Sequence, residues 1–377
     1  MTSENESGKP CIASKPALSE VQAIKLVEML FGLQVATVKS LPSYDDQNFY
    51  IQSEGTTAQT EYVLKITNGE NSKDTELIEA QTYVMKFLYD EGLPTPNPVF
   101  TNTGNIMSME AIDYGGVVQN HMVRLLTYLP GTPAAEIITT PEILFEIGKV
   151  AAILDEKLTK KFQHPYKKYF DRGEFIWNLS NTPLLRKYTH VIKEDNLREI
   201  IEVFIKQYED SVQENLETFR KCINHGDFND YNLLLQKTSL SDGHSKDHYK
   251  VSGILDFGDM SFGYYVFEVA ITIMYMMIEN PDPLSVGGYV LAGFESIVPL
   301  TREEKKALFT LVGCRFAQSL VIARYSVLLC PENEEYLMIT SKKGWKHLML
   351  LHDMGKEAVE EIWEETARTY RDKINPN

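Results

Sequence analysis

A single ten-residue stretch, INHGDFNDYN from Ile223 to Asn232, concentrates the side chains most capable of chemistry. Asp227 stands five residues before Asn232, and Asp256 follows in the segment ILDFGD. Phosphoryl transfer needs one carboxylate that accepts or orients a hydroxyl proton, and oxygen ligands for the metal ion that bridges the nucleotide phosphates. Mg²⁺ is satisfied by one or two protein oxygens together with phosphate and water. We therefore predict Asp227 as the catalytic base, and Asn232 and Asp256 as Mg²⁺ ligands.

The same residues could instead belong to ordinary turns, because Asp, Asn and Gly are common there. However, H-x-D-x-x-x-x-N followed by D-F-G is the order of the kinase catalytic motifs. Here NLLLQ and YKVSGILDF are the predicted strand pair, joined by the polar tip KTSLSDGHSKDH. The pair would bring Asp256 back beside Asp227, which favours the kinase interpretation. We expect His225 to hold the loop by a hydrogen bond, since no second His or Cys stands at metal-ligand spacing.

A kinase would also need a cation for the phosphates, and Lys65 in the strand-like YVLKI is the candidate. Glu79 in the next helix would hold Lys65 in place, although Glu76 lies one turn away on a similar face. The loop LPSYDDQNFY lacks G-x-G-x-x-G but could still donate hydrogen bonds to phosphate. Its candidate donors are Ser43, Tyr44, Gln47 and Asn48. Backbone groups from Thr127 to Leu129 would face the purine edge without distinguishing adenine from guanine.

The strand and helix patterns around these residues predict an α+β chain with a two-lobed, protein-kinase-like fold. Residues 1–17 are predicted to be a disordered tail, 18–129 an N-lobe, and 130–377 a mostly helical C-lobe. The N-lobe should contain a five-stranded antiparallel sheet with a helix inserted after the third strand. Its strands are predicted at VATVKSL, NFYIQS, EYVLKI, NIMSMEAI and HMVRLLTYL. Helical periodicity predicts C-lobe helices over 141–158, 193–221, 263–279, 301–329 and 351–372.

The bulk composition is typical of a soluble enzyme. The chain has 377 residues and a net charge of −16, which argues against nucleic acids and anionic membranes as partners. Its four cysteines are scattered and form no CxxC pair, which disfavours a zinc or redox site. The polar N-terminus lacks the apolar core of a signal peptide, so we expect a cytosolic protein.

Two departures from protein kinases indicate the kind of substrate. Gly226 occupies the place of the Arg that receives an activation-loop phosphate in protein kinases. Only a few residues separate Gly258 from the helix predicted to begin near Phe262, which leaves no room for an activation segment. We therefore expect a small-molecule substrate, bound among the C-terminal helices.

The segments INHGDFNDYNLLL and GILDFGD resemble the aminoglycoside phosphotransferase and choline kinase superfamily. The resemblance covers roughly residues 35 to 300. A closer resemblance within this family is carried by LPSYDDQNF, YVLKI, VRLLTYLPG and DFGDMSFGYYVFEVAITIMYMM, and by PENEEYL and GWKHL towards the C-terminus. It implies GTP-dependent phosphorylation of the side-chain hydroxyl of 5-hydroxy-L-lysine, a step in lysine-type catabolism. The residues themselves leave GTP and ATP undistinguished.

A zwitterionic substrate with a second ammonium group needs a cation for its carboxylate and acids or aromatic rings for its amines. Asp259 is the first candidate, because it lies three residues after the predicted metal ligand Asp256. The others are Glu268, Trp177, Tyr264, Arg315 and Arg324. Each of these also has a structural interpretation, since buried charges are usually paired and tryptophan is more often a core residue.

Several alternatives remain open from the residues alone. The acceptor could be another small amino alcohol or a sugar, such as choline, homoserine or an aminoglycoside. The chain could also be a nucleotide-binding pseudokinase scaffold, although the joint presence of Lys65, Asp227, Asn232 and Asp256 argues against loss of activity. Adenylyl transfer is a third possibility. The oligomeric state is not indicated.

Overall fold

A computed structural model describes residues 15–43, 45–55, 59–238 and 248–375. Most of the predicted tail, Tyr44 of the predicted phosphate loop and most of the polar tip lie outside these residues. The chain forms two compact units. The first contains the described residues up to Lys86, Pro96–Tyr128 and Ser326–Leu337. The second contains Phe87–Thr95, Leu129–Tyr325 and the chain from Met338 onward. The predicted break near Leu129 is therefore one of several changes of unit along the chain.

The first unit contains a six-stranded antiparallel sheet. Its strands are β1 (Val35–Leu41), β2 (Gln47–Ser53), β3 (Glu61–Ile66), β4 (Pro98–Val99), β5 (Ser108–Asp113) and β6 (Val118–Thr127). They are ordered β1-β2-β3-β6-β4, and β5 pairs with β6. The five predicted strands are present; the sixth, β4, has only two residues, too few to show an alternating pattern. The sheet belongs to the predicted α+β class.

One face of the sheet packs on helix α1 (Glu20–Phe31). The helix begins with a capping box between Ser19 and Gln22 and ends at Gly32, which has φ +67°. Its buried positions join Leu64 and other sheet residues in one apolar cluster. Strand β3 alternates, so Leu64 is buried on this face while Lys65 points to the opposite one. Helix α2 (Thr75–Asp90) follows β3 and runs from the first unit into the second.

The second unit is mostly helical. Its main helices are α3 (Pro141–Lys160), α4 (Asp195–Gln207), α5 (Tyr265–Glu279), α6 (Pro283–Glu295), α7 (Arg302–Leu329, with its last turn in the first unit), α9 (Ser341–Met354) and α10 (Lys356–Ile374). The short α8 (Glu334–Leu337) belongs to the first unit. Helix α7 is long and apolar enough to cross a membrane by length and composition, but 89% of its apolar window is buried in the protein.

Two helix predictions in this unit are corrected by the structure, and one helix was not predicted. The element predicted at 193–221 ends as an α-helix at Gln207, and a wider π turn and a 3₁₀ turn follow it. The element predicted at 351–372 is two helices that meet at Gly355, whose φ is +77°. Helix α6 was not predicted because its glycines weaken the helical signal. A Cβ on Gly293 would come within 1.9 Å of the Phe145 carbonyl oxygen, so close helix packing requires that glycine.

Two small sheets in this unit bracket the opening motif. Strand β8 (Lys221–Asn224) pairs with β11 (Ser261–Tyr264). The predicted hairpin is present as β9 (Leu233–Thr238) and β10 (His248–Ile254), and β7 (Thr132–Pro133) adds a third strand. The segment His225–Asn232 therefore lies between β8 and β9, and we call it the catalytic loop. The loop with Asp256 lies between β10 and β11.

Candidate active site

Both the backbone conformation and the close packing at position 226 of the catalytic loop require a glycine, Gly226. Its φ is +81°, in the left-handed region that favours glycine. A Cβ at this position would lie 2.6 Å from the backbone oxygen of Asp259. The two motifs thus touch at this glycine, and any side chain would push them apart. This contact gives a physical reason why Gly, and not Arg, precedes Asp227.

The carboxylate of Asp227 is fixed through both of its oxygens. Oδ2 accepts hydrogen bonds from the Asn229 and Asn232 amide nitrogens at 2.9 and 2.8 Å, and Oδ1 accepts one from Arg315 Nη2 at 3.2 Å. Burial raises the pKa of Asp227, and the Arg315 guanidinium and the two amides oppose this shift. The carboxylate is therefore oriented while its side chain stays 23% exposed.

The role of Asn229 was not assigned from sequence. Its side-chain oxygen accepts from the backbone N–H groups of Tyr231 and Asn232 at 2.9 and 2.8 Å. Asn side chains often accept a hydrogen bond from the backbone N–H two residues on, which forms an Asx turn. The residue type alone therefore indicated this role. Asn229 thus shapes the loop with its oxygen and orients Asp227 with its nitrogen.

His225 holds the loop as expected. Its Nε2 lies 3.0 Å from the Leu255 carbonyl oxygen, and its ring packs against Phe228 and Phe257. Burial lowers the pKa of His225 to about 4, so the ring is neutral near pH 7 and donates from Nε2–H. This bond ties the catalytic loop to the end of the hairpin that delivers Asp256.

Asp256 has φ +55°, the one non-glycine residue with positive φ in the described ranges. Its Oδ1 accepts from the Gly258 N–H at 3.2 Å. The carboxylates of Asp227, Asp256 and Asp259 are close enough that Asp227 and Asp256 both raise the pKa of Asp259. Burial is the largest cause of that shift, and the pKa of Asp259 rises to about 7. Three acids gather here beside Arg315.

The donor set suits Mg²⁺ better than a metal bound by protein alone. Within the described ranges, no three His, Cys, Asp or Glu side chains are grouped as metal ligands. Mg²⁺ needs only one or two protein oxygens when it also binds phosphates. The amide nitrogen of Asn232 is bonded to Asp227, so its side-chain oxygen is the atom left for a metal ion. Mg²⁺ binding by this oxygen together with Asp256 stays a prediction.

Arg315 lies beside Asp227, the predicted base. The side chain is 1% exposed. Its nitrogens donate to the carbonyl oxygens of Trp177 and Gly226, each at 3.1 Å. The guanidinium lies 5.0 Å from the Trp177 ring and 5.3 Å from the Tyr275 ring. Arg315 therefore fixes the loop around Asp227, with Trp177 as part of its cage.

Two other predicted substrate residues, Arg324 and Tyr264, lie elsewhere in the second unit, and Glu268 lies beneath the catalytic loop. Arg324 pairs with Glu194 at 2.9 Å and lies over the Trp345 ring. Tyr264 packs edge-on against two phenylalanines. Glu268 is fully buried, and its Oε2 accepts from the backbone N–H groups of His225 and Gly226 at 2.5 and 3.3 Å. Glu268 thus anchors the catalytic loop from below. The structure brings Asp259, Trp177 and Arg315 to Asp227, but not Arg324.

In the first unit, Lys65 forms an ion pair that the sequence did not predict. Its Nζ lies 3.1 Å from Asp46 Oδ2, and Asp46 Oδ1 also accepts from the Asn68 N–H at 2.9 Å. Lys65 and Asn48 are cross-strand partners, so both face the same side of the sheet. Glu79 is half-buried on α2, and its pairing with Lys65 stays a prediction.

The other predicted nucleotide residues are bonded within this unit or begin the next. Ser43 Oγ donates to the Asp46 carbonyl oxygen at 2.5 Å. The Thr127 N–H donates to the Asn97 carbonyl oxygen at 2.9 Å, so it is already used. Leu129 is the first residue of the second unit after β6. Their contacts with a nucleotide stay predictions.

Comparison with known proteins agrees with this geometry. The sequence model of the phosphotransferase enzyme family matches residues 37–303. The chain is 65% identical to hydroxylysine kinase of Xenopus laevis, which covers 95% of this chain and 96% of that protein. It is 54% identical to hydroxylysine kinase of Bos taurus, over 96% of each chain.

Solved structures show the same fold. An amicoumacin kinase aligns with a TM-score of 0.62 at 16% identity, over 88% of this chain and 94% of that one. A microcompartment-associated aminopropanol kinase aligns with a TM-score of 0.59 at 14% identity, over 88% and 97%. At these identities the likeness concerns the fold, and the predicted kinase-like architecture is confirmed.

Proposed function

From the premise that this chain belongs to the phosphotransferase enzyme family, we propose that it transfers the γ-phosphate of GTP to the side-chain hydroxyl of 5-hydroxy-L-lysine. The acceptor is supported by 51–65% identity to hydroxylysine kinases of four vertebrates over nearly the full chain. The choice of GTP rests on the resemblance of the phosphate-loop and motif segments to that group. We further infer a cytosolic enzyme of lysine catabolism.

The observation that carries the phosphotransferase mechanism is the orientation of Asp227. Two amides hold Oδ2 and one guanidinium holds Oδ1, so the carboxylate keeps one direction. In the proposed reaction, the oxygen of the substrate hydroxyl bonds to the γ-phosphorus while Asp227 accepts the hydroxyl proton. The bond between that phosphorus and the β–γ bridging oxygen breaks, and GDP leaves.

The remaining residues hold charges in place during this transfer. Asn232 and Asp256 would hold Mg²⁺, which neutralises charge on the phosphates when bound. Lys65 would turn from Asp46 to the phosphates as a point charge. Asp259 would bind a substrate ammonium, because it is the one predicted substrate acid beside Asp227 that is not locked in the core.

The direct test measures nucleotide consumption by the purified protein with GTP and with ATP in parallel. Acceptors are 5-hydroxy-L-lysine, L-lysine, choline, homoserine and an aminoglycoside. We expect GDP release that depends on hydroxylysine, is absent with lysine, and stops when EDTA removes Mg²⁺. Faster turnover with another acceptor would contradict the substrate, and faster turnover with ATP would contradict the donor. Nucleotide binding without turnover for any acceptor would indicate a scaffold.

A further inference from the structure

Two carboxyl groups lie next to one another in the core beneath the catalytic loop. Asp155 belongs to α3 and Glu268 to α5, and both residues are 0% exposed. Neither forms an ion pair with any residue in the described ranges. A buried carboxylate without a cation is costly, and two of them side by side repel each other. The pair therefore needs some other means of neutralising one charge.

In each of the two carboxyl groups, one oxygen accepts hydrogen bonds and the other accepts none from the described residues. Asp155 Oδ2 accepts from Asn224 Nδ2 at 3.1 Å and from the Cys222 thiol at 3.6 Å. Glu268 Oε2 accepts from two loop N–H groups. Asp155 Oδ1 and Glu268 Oε1 are buried and receive no hydrogen bond from the described part of the chain. The two side chains are nevertheless within hydrogen-bond reach of each other.

We infer that Asp155 and Glu268 share one proton, and that this carboxyl–carboxylate pair positions the catalytic loop. Asp155 carries the proton and donates it to Glu268, which keeps its charge for the backbone N–H groups of His225 and Gly226. One proton thereby satisfies both oxygens that lack donors and removes the repulsion between two buried charges. Asp155 is a positioning residue, because it reaches the loop only through Glu268.

The electrostatic environment supports this assignment. Burial raises the pKa of Asp155 well above its ordinary range, and the neighbouring Glu268 charge raises it further. The titratable or charged groups that face the pair are Cys222 of β8, His225 of the catalytic loop, Tyr265 of α5 and Arg315 of α7. The pKa values of Cys222 and Tyr265 are raised, that of His225 falls to about 4, and Arg315 stays cationic. These four groups therefore keep their charge states around neutral pH, so the proton on the carboxyl pair sets the charge of this cluster.

The consequence for the loop follows from the loss of that proton. At alkaline pH both groups ionise, and repulsion drives Glu268 away from Asp155. Because Glu268 Oε2 holds the N–H groups directly before Asp227, its displacement moves the base. Turnover should fall on the alkaline side for this reason, whereas the carboxyl pair stays intact at neutral pH.

Asp155→Asn keeps the shape of the side chain and a hydrogen-bond donor but removes the titratable proton. An asparagine amide donates to Glu268 as the protonated acid does, and its oxygen still accepts from Asn224. Asp155→Leu keeps a similar volume but removes the donor. Glu156→Gln is the matched control on the same helix, since Glu156 lies towards solvent and pairs with Lys160.

The first measurement is thermal unfolding between pH 5 and 8.5, which needs no activity. The folded pKa of Asp155 lies above its unfolded value of about 3.9. Asp155 therefore binds more proton in the native state than in the unfolded state across this window, so its contribution to stability falls as pH rises. We expect the Tm of Asp155→Asn minus that of wild type to grow with pH. A difference that stays constant, as expected for Glu156→Gln, would overturn the shared proton.

The second measurement is the pH profile of kcat, which depends on the proposed kinase activity. Asp155→Asn should keep neutral kcat within about threefold and move the alkaline fall to higher pH, whereas Asp155→Leu should lose about 10–100-fold, as supporting partners of functional groups do. An Asn variant as impaired as the Leu variant, or an unchanged alkaline fall, would overturn the positioning role. If wild type shows no turnover, the proposed function is wrong, but the thermal measurement still tests whether Asp155 and Glu268 share a proton.

Discussion

Each unit of the molecule contains one cation paired with an acid that we connect to phosphoryl transfer, and the two pairs differ in how firmly they are built. In the first unit, Lys65 and Asp46 are 3.1 Å apart, with 16% and 13% of their side chains exposed. In the second, Arg315 is only 1% exposed and touches Asp227 at 3.2 Å. The first pair can exchange partners, and the second belongs to the scaffold.

The surroundings explain the difference. If Lys65 turns to a phosphate, Asp46 keeps the N–H and amide of Asn68 at 2.9 and 3.3 Å. If Arg315 moves, two carbonyl oxygens and one carboxylate lose a donor in the core. A lysine ammonium is a point charge on a flexible stem, whereas a guanidinium presents fixed donors to several acceptors. In the proposed function, ligand binding and loop support thus use different cations.

The largest effect should come from the base at the centre of the second pair. Asp227→Asn keeps the shape but cannot accept the hydroxyl proton, so kcat should fall by about 10²–10⁴-fold. Tm should fall, because asparagine has one acceptor oxygen where Asp227 accepts from two amides on one side and from Arg315 on the other. Nucleotide affinity should remain close to wild type. Steady-state kinetics and a nucleotide titration measure both, and a kcat within about tenfold of wild type would contradict the role of Asp227 as base.

The exchangeable pair is broken by Lys65→Met. We expect kcat/KM for the nucleotide to fall by about 10²–10³-fold, the loss seen when one charge-stabilising donor is removed from a transition state. Tm should fall less than in Arg315→Met, because Asp46 keeps its two hydrogen bonds from Asn68 when the lysine is removed. Asp46→Asn is the matched control and should cost much less activity. Equal losses in both variants would mean that the ion pair itself, and not only the charge of Lys65, is required.

The scaffold pair is broken by Arg315→Met. Removing one partner of a buried pair typically costs about 3–5 kcal/mol, so Tm should fall clearly. We expect kcat to fall by about 10–100-fold, since Arg315 supports Asp227 without reaching the phosphate. Thermal unfolding and kinetics on the same preparation test this. A variant that loses substrate affinity but keeps Tm would instead favour Arg315 as the ligand of the substrate carboxylate.

A smaller effect should follow from titration beside the scaffold pair. Burial and neighbouring acids raise the pKa of Asp259 to about 7. Below this pH the group is neutral and cannot pair with an ammonium, so kcat/KM for the acceptor should rise about tenfold from pH 6 to 8. Asp259→Asn should flatten the rise. Asp230→Asn is the control, because burial also raises the pKa of Asp230 to about 7; if it alone flattens the rise, Asp259 is not the amine ligand.

The smallest effect should come from the other arginine of α7. Arg324 is 25% exposed and pairs with Glu194, which is 48% exposed. Such pairs contribute about 0.2–1 kcal/mol, so Arg324→Met should leave kcat unchanged and lower Tm only slightly. A loss of activity comparable with that of Arg315→Met would show that both arginines serve the substrate.

Local patterns in the sequence predicted the parts that local physics decides. The alternation of β3 placed Lys65, and the order of HGD, hairpin and DFG brought Asp227 and Asp256 together. Long-range packing decided what was missed. The stretch after Gln207 has a helical pattern, but it turns and then pairs as β8 with β11.

The partners of charged residues could not be inferred from spacing. Arg315 and Arg324 are nine positions apart on one helix, yet one is enclosed beneath the catalytic loop and the other reaches the surface. The pairing of Lys65 with Asp46 depends on how the loop before β2 folds back. A shared proton between Asp155 and Glu268 likewise depends on two helices meeting, which no sequence period records.

The left-handed backbone of Asp256 has a consequence for anyone who evolves this enzyme in the laboratory. A residue with a side chain is held there at a cost of order 1–3 kcal/mol, which glycine would relieve. Glycine would also discard the carboxylate. Selection for heat resistance alone would therefore favour variants that lack the proposed metal ligand at this position. A library of variants of this protein therefore has to be screened for turnover and for thermal stability in the same round.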